Sequence, residues 1–291
     1  MHQLKPGIFY EDAYLGVTLG ALIFSQGTIM IDAPLRTEDT RAWRSALITL
    51  RGGSSRLLIS LDAHPDRTLG TRAMECTVIS HHKTAQVFRN RPVIFKGQSA
   101  EGGADWETYD DVIGTRWISP DITFSEKMIL YWGGPEVILE HHPGPASGSI
   151  WVVIPQAGVL FVGDAVTPNQ PPFLSQADLP IWIETLDHLE NTFKGYTIVS
   201  GRGGLVEPDA VRAQQRYLKN IYKGLERLAK RNALPEATEN LINSLLKEVD
   251  YPDKFSDQYT QRLRSGLFQY YIHHYRQETL PDQLDFEDSD S

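Results

Sequence analysis

Asp62, His64, Asp66 and Arg67 follow directly on the run Leu57-Leu58-Ile59-Ser60-Leu61. That run is too short for a helix and is bounded by Gly52-Gly53 and Pro65, so it reads as a buried strand. Extended backbone repeats every two residues, and positions 62, 64 and 66 would then aim three side chains at one pocket. Two carboxylates flanking a histidine can hold a divalent cation or act as acid and base. The same residues can equally form a solvated acidic turn, closed internally by Arg67. Another carboxylate, Asp164, ends the apolar strand that runs from Gly158 to Val162. Arg202 stands in Gly201-Arg202-Gly203-Gly204, just after the strand Thr197-Ile198-Val199-Ser200.

The elements that must position these groups can be read in order. Ile8-Phe9-Tyr10, Val17 to Phe24 and Thr28 to Asp32 read as strands, the last two as a hairpin. Thr37 is placed to cap a helix that carries Trp43, Leu47 and Leu50 on one face and ends near Gly52-Gly53. Thr77 to Ser80 is a further buried strand, followed by a helix over Lys83 to Phe88. Residues 96 to 116 hold no period, and Gln98 to Asp105 reads as a surface loop anchored by Trp106 and Tyr109. Short strands follow at Ile122 to Phe124, Met128 to Tyr131, Val137 to Glu140 and Ser149 to Ile154. Ile181 to Phe193 is amphipathic.

Beyond Glu207-Pro208, which suits a helix start, the pattern is helical throughout. Leu218, Ile221, Tyr222, Leu225 and Leu228 recur at helical spacing, as do Leu241, Ile242, Leu245 and Val249. A last helix carries Tyr259, Leu263, Leu267, Tyr271 and Tyr275; its stripe suits packing, a dimer seam or a lid. The boundaries are a domain over 1–207 and a helical extension over 208–291 with an acidic tail, Asp285 to Ser291, that reads as disordered.

With 291 residues the chain can build a sizeable core, and 41% hydrophobic with 22% charged residues is ordinary for a globular protein. A net charge of −9 argues against nucleic-acid or acidic-membrane partners, which need clustered Lys and Arg. One cysteine, Cys76, leaves no internal disulfide and no cysteine-rich zinc motif. With no apolar run of membrane-spanning length and no signal-peptide pattern, the expectation is a cytoplasmic protein with a small-molecule partner.

Several motifs, in this order, resemble the metallo-β-lactamase fold, a four-layer αββα (α/β, or α+β) sandwich with its site along one edge of two packed sheets. Ile29-Met30-Ile31-Asp32 resembles the family's first acidic strand end, and Asp62-Ala63-His64-Pro65-Asp66-Arg67 its His-x-His-x-Asp-His motif. His141-His142-Pro143-Gly144-Pro145-Ala146-Ser147-Gly148 is similar to its Thr-Pro-Gly-His loop. Val159 to Asp164 resembles its Gly-Asp strand, and Ser200-Gly201-Arg202-Gly203 its Pro-Gly-His-Gly loop.

The resemblance implies a hydrolase, and it implies a degenerate metal site. His64, Asp66 and Asp164 remain, whereas Asp62, Arg67, Pro145 and Arg202 stand where the family has histidines. Arginine stays protonated, has no lone pair to offer and repels a dication, so the second metal is expected to be lost. Asp62, His64 and Asp164 could still hold one divalent metal (Zn, Mn or Fe). Asp66 would then activate a bound water, while Arg67 or Arg202 stabilised an anion, for ester, lactone, thioester or phosphoester hydrolysis. The alternative is a pseudoenzyme with no metal, in which Arg67 and Arg202 neutralise the carboxylates and the fold serves ligand binding or assembly. A homodimer through the C-terminal helices suits that second reading. His81, His82, His141 and His142 are expected to be hydrogen-bonded structural histidines.

Overall fold

The strands pair into two sheets in a computed structural model that describes residues 1–50, 52–97 and 112–276. The first sheet runs β1 (His2–Lys5), β2 (Ile8–Glu11), β3 (Leu19–Ile23), β4 (Gly27–Ile31), β5 (Ser55–Ile59), β6 (Thr77–His81) and β7 (Ile122–Phe124), side by side in chain order. Its early strands meander antiparallel, and β4 to β7 are parallel, with Ile31 opposite Ile59 and Ile59 opposite Ile79. The second sheet contains β8 (Lys127–Leu130), β9 (Val137–His141), β10 (Ile150–Ile154), β11 (Val159–Phe161), β12 (Thr197–Val199) and β13 (Leu205–Val206), ordered β13-β12-β11-β10-β9-β8.

Alternation along the strands sorts their side chains into layers. Ile29, Ile31, Ile59 and Ile79 face Leu139, Ile150, Val152 and Phe161 across the space between the sheets. Met30, Leu58 and Val78 point the other way, towards Trp43 and Leu47 of α1 (Thr37–Ile48); α2 (Pro65–Thr68), α3 (Thr71–Met74) and α4 (His82–Asn90) follow along the chain. On the outer face of the second sheet, Trp151, Val153 and Leu160 pack against α5 (Leu179–Thr192), α6 (Pro208–Lys230), α7 (Glu239–Leu246) and α8 (Ser256–Tyr275). Helices therefore cover both outer faces, giving the αββα order.

Most expected elements form, with informative differences. Thr37 does not cap α1: the cap residue is Arg36, which makes no side-chain cap bond, and Glu38 and Asp39 in the first turn complement the helix dipole instead. The edge strands β1 and β13 escape the pattern reading, one being largely exposed and polar, the other two residues long. The stripe on α8 is packing: Leu263, Leu267, Tyr270 and Tyr271 are buried in the core of the second sheet, and the Tyr271 hydroxyl donates to the Ala233 carbonyl at 2.9 Å. Among the described residues no helix is long and apolar enough to cross a membrane. The loop over 98–105 with Trp106 and Tyr109, and the acidic tail, lie outside the described residues.

Candidate functional site

Asp32 organises the edge where the site forms. It ends β4 in the left-handed region, at φ 58°, where its N–H donates to the Ile59 carbonyl at 2.8 Å and its Oδ1 accepts from the Leu61 N–H at 2.9 Å. The chain leaving β5 is thereby held beside β4 as it reaches Asp62. The expected alternation of 62, 64 and 66 fails there. Pro65 starts a one-turn helix, α2 (Pro65–Thr68), which suits proline because its missing N–H would have no helical partner. Asp62 caps the turn by accepting from the His64 N–H at 2.8 Å, and Thr68 donates to the His64 carbonyl at 2.8 Å. Asp62 and His64 therefore line a cleft, while α2 turns Asp66 towards Gly16 and Arg202.

Two buried arginines bind the carboxylates together. Arg67 is 0% exposed; its Nη2 donates to Asp164, its Nη1 lies 3.4 Å from Asp32 and its Nε 3.3 Å from Asp62. Arg202 is 4% exposed; its Nε lies 3.1 Å from both Asp164 oxygens, and its Nη1 donates to Asp66 and to the Gly16 carbonyl. The His64 Nδ1 lies 2.6 Å from Asp66 Oδ1, so with an acceptor-only carboxylate opposite it the ring donates there. Glycine makes the close approach possible. A Cβ at Gly201 would stand 2.9 Å from both terminal nitrogens of Arg67, which the carboxylates leave no freedom to move. Gly201→Ala should therefore cost about 1–3 kcal/mol by overpacking, read from the urea midpoint.

The charges divide between the carboxylates. Burial pushes Asp66 and Asp164 up, but the Arg202 and Arg67 guanidiniums outweigh it and hold both below the usual carboxylate range. Burial dominates at Asp32, which rises to about 7, and Asp62 is also raised. Two ionised carboxylates thus face two guanidiniums whose protons burial alone would loosen and the carboxylates hold firmly. Asp32 and Asp62 are displaced towards the neutral acid, which relieves the crowding of like charges.

The cleft beside this network encloses about 410 Å³. Asp62, His64, Asp164, Phe173 and Ser175 form its buried side, and Pro92, Ile94 and Lys96 its exposed rim. Val87, Phe95, Trp117 and Pro145 make the walls largely apolar, with Arg91 stacked on Trp117 at 4.8 Å. Ser175 is 3% exposed, and its hydroxyl meets no hydrogen-bond partner among the described residues. Among these residues, the group whose donor atoms all lie within 4.8 Å of one another, as a cation needs, is His2, Glu11 and Asp12. Asp62, His64 and Asp164 do not form such a group.

Sequence reasoning missed Phe173, whose ring lies 4.4 Å from both His64 and the Arg202 guanidinium, and Arg262 of α8, 4.0 Å over the same ring. A cation on the apolar face of α8 was the available signal for Arg262; nothing local marks Phe173. The remaining histidines are structural. His81 stacks on His141 at 3.8 Å, and they bond the Ser125 and Ser147 carbonyls at 2.5 and 2.9 Å; His142 stacks on Trp151 at 3.7 Å. None of them, nor His82, lines the cleft. Burial lowers His81 to about 4, so its contribution to stability is present above 6.5 and lost as pH falls through 4. Urea midpoints should decline over that window, and His81→Gln should flatten the decline.

With this geometry in view, comparison with known proteins gives a consistent result. A family model described as the metallo-beta-lactamase superfamily matches residues 72–201. A metallo-beta-lactamase from Pontibacter korlensis superposes with a TM-score of 0.55 at 18% identity, covering 73% of this chain and 93% of that one. The inverting sec-alkylsulfatase Pisa1 from Pseudomonas sp. gives 0.68 at 14% identity, covering 97% of this chain, which spans 51% of the sulfatase's length. The metallo-beta-lactamase IND-7 gives 0.58 at 14% identity, over 75% of this chain and 96% of that one. At such identities these likenesses carry the fold. No curated protein sequence matches the chain.

Proposed function

We propose that the chain, which has the metallo-β-lactamase fold and matches that superfamily's model over residues 72–201, is a member whose metal centre has been replaced by an arginine–carboxylate network. Its retained cleft then binds a small organic ligand. The observation that carries this reading is the pair of guanidiniums, Arg67 and Arg202, bridging Asp164 to Asp62 and Asp66. These carboxylate oxygens are the hard donors a divalent cation would need. Asp164 and Asp66 now accept from groups that stay charged and offer no lone pair, and the Arg67 Nε stands 3.3 Å from Asp62. The residues present therefore do not fit a metal, and no catalytic step is routed through one.

The cleft supplies the ligand's character. Apolar walls of Val87, Phe95, Trp117 and Phe173 suit an apolar or aromatic body. Ser175 offers a hydroxyl at the buried side, and Arg91 and Lys96 offer positive charge. A ligand with an apolar body, one polar end and one anionic group matches all three.

The test pairs binding with turnover. Anilinonaphthalene sulfonate, which combines an apolar body with an anion, should quench Trp117 saturably, and Val87→Trp should block it by filling the cleft. Assays with a β-lactam, an aryl ester, a thioester and an alkyl sulfate, each with added Zn, Mn or Fe, should give no turnover. Metal-dependent hydrolysis of any of them that His64→Ala abolishes would restore the single-metal hydrolase with Asp62, His64 and Asp164 as ligands.

A further inference from the structure

A second, smaller cavity of about 170 Å³ lies between the sheet edge and α8, walled by Asp12, Tyr14, Asp66, Gln170, Arg202 and Arg262. Arg262 is 4% exposed, yet among the described residues no carboxylate pairs with it. Its Nη1 donates to Gln170 Oε1 and to the Pro171 carbonyl, both at 2.9 Å, which uses both protons on that nitrogen. Its Nε is buried and meets no acceptor among the described residues. The planar group lies 4.0 Å from the ring centre of Phe173 and 4.8 Å from that of Tyr259. Burial, with the Arg202 charge nearby, lowers Arg262 to about 10. A buried guanidinium without a counter-ion is costly, and the edge it leaves unused, Nε with Nη2, is the fork that grips an oxyanion through two parallel hydrogen bonds.

We propose that this cavity is an oxyanion-binding site in which the Nε–Nη2 edge of Arg262 holds a carboxylate, sulfate or phosphate group, with Arg202 adding positive charge. The carboxylates on its wall leave that edge available. Asp66 is held by Arg202 and His64, and Asp12 lies 3.5 Å from His2. Asp12 nevertheless opposes an anion and sets a limit on its affinity. The volume suits an ion or the head of a molecule whose body stays outside. The site is distinct from the cleft and stands whether or not the cleft binds a metal.

Calorimetric titration of the full chain in chloride buffer of matched ionic strength, with sodium sulfate, phosphate and acetate as separate probes, tests it. At least one should bind saturably at one site per chain. A preference for acetate points to an organic carboxylate, a preference for sulfate or phosphate to a tetrahedral anion. Arg262→Lys keeps charge and stem but loses the fork, and should weaken binding about tenfold or more. Asp12→Asn, at the cavity rim, should strengthen it severalfold. No saturable binding of any probe in the millimolar range, or binding unaltered by Arg262→Lys, overturns the proposal. If Arg262→Lys does not fold, an affinity unchanged by Asp12→Asn overturns it as well.

Discussion

Asp164→Ala should lower the stability of the chain by about 3–5 kcal/mol at pH 7, the cost of breaking a buried ion pair from one side. Asp164 accepts from Arg67 and from the Nε of Arg202, so its removal leaves two buried guanidiniums facing each other without the charge between them. Hydrophobic truncation is a minor part of the loss, because the removed group is a carboxylate. Asp164→Asn is the control: it keeps the shape and one acceptor but no charge, and should recover part of the stability. Urea denaturation reads both variants. A loss under about 1 kcal/mol for Asp164→Ala, the range of exposed pairs, would mean that the network is not held dry.

Arg67→Met should be as damaging at pH 7 and should steepen the gain in stability as pH falls towards 5. Arg67 faces Asp32, Asp62, Asp66 and Asp164, and without it Arg202 alone opposes them. In the parent chain Asp66 and Asp164 are held below their ordinary range, so their contribution is present above about pH 4 and lost as pH falls through their folded values. In the variant the crowded carboxylates would be raised above their unfolded values. A raised group contributes stability that is full below its unfolded pKa and lost as pH rises through its folded one. Arg67→Met should therefore gain more stability between pH 7 and pH 5 than the parent, which gains there through Asp32 and Asp62 but not through Asp66 and Asp164. Parallel profiles for the two chains would show that Arg67 does not neutralise the cluster.

Much of the site was legible because strand ends announce themselves. Apolar runs that stop at Asp32, Asp62 and Asp164 place three carboxylates on one edge of two packed sheets; Arg67 follows β5 closely, and Arg202 follows β12. Their meeting with Asp164 and Asp66 could be expected from charge alone. The local path of the chain could not. Pro65 marks a turn and a helix start equally well, and only the structure shows that α2 points Asp66 towards Arg202, out of the cleft that Asp62 and His64 line, while the His64 ring still reaches it. Phe173 comes from a stretch with no period, and Arg262 from a helix nearly 200 residues beyond Arg67. Such pairings depend on how α8 docks on the second sheet, which no local pattern encodes.

In the proposed reading guanidiniums, and not a metal, neutralise Asp66 and Asp164, while burial displaces Asp62 towards the acid. Elemental analysis of the full chain, purified without chelator and again after incubation with zinc, manganese and iron, tests it most directly. Less than stoichiometric metal is expected under every condition, with no change on His64→Ala. About one equivalent of a single metal that His64→Ala removes would contradict it, and would return Asp62, His64 and Asp164 to the role of ligands.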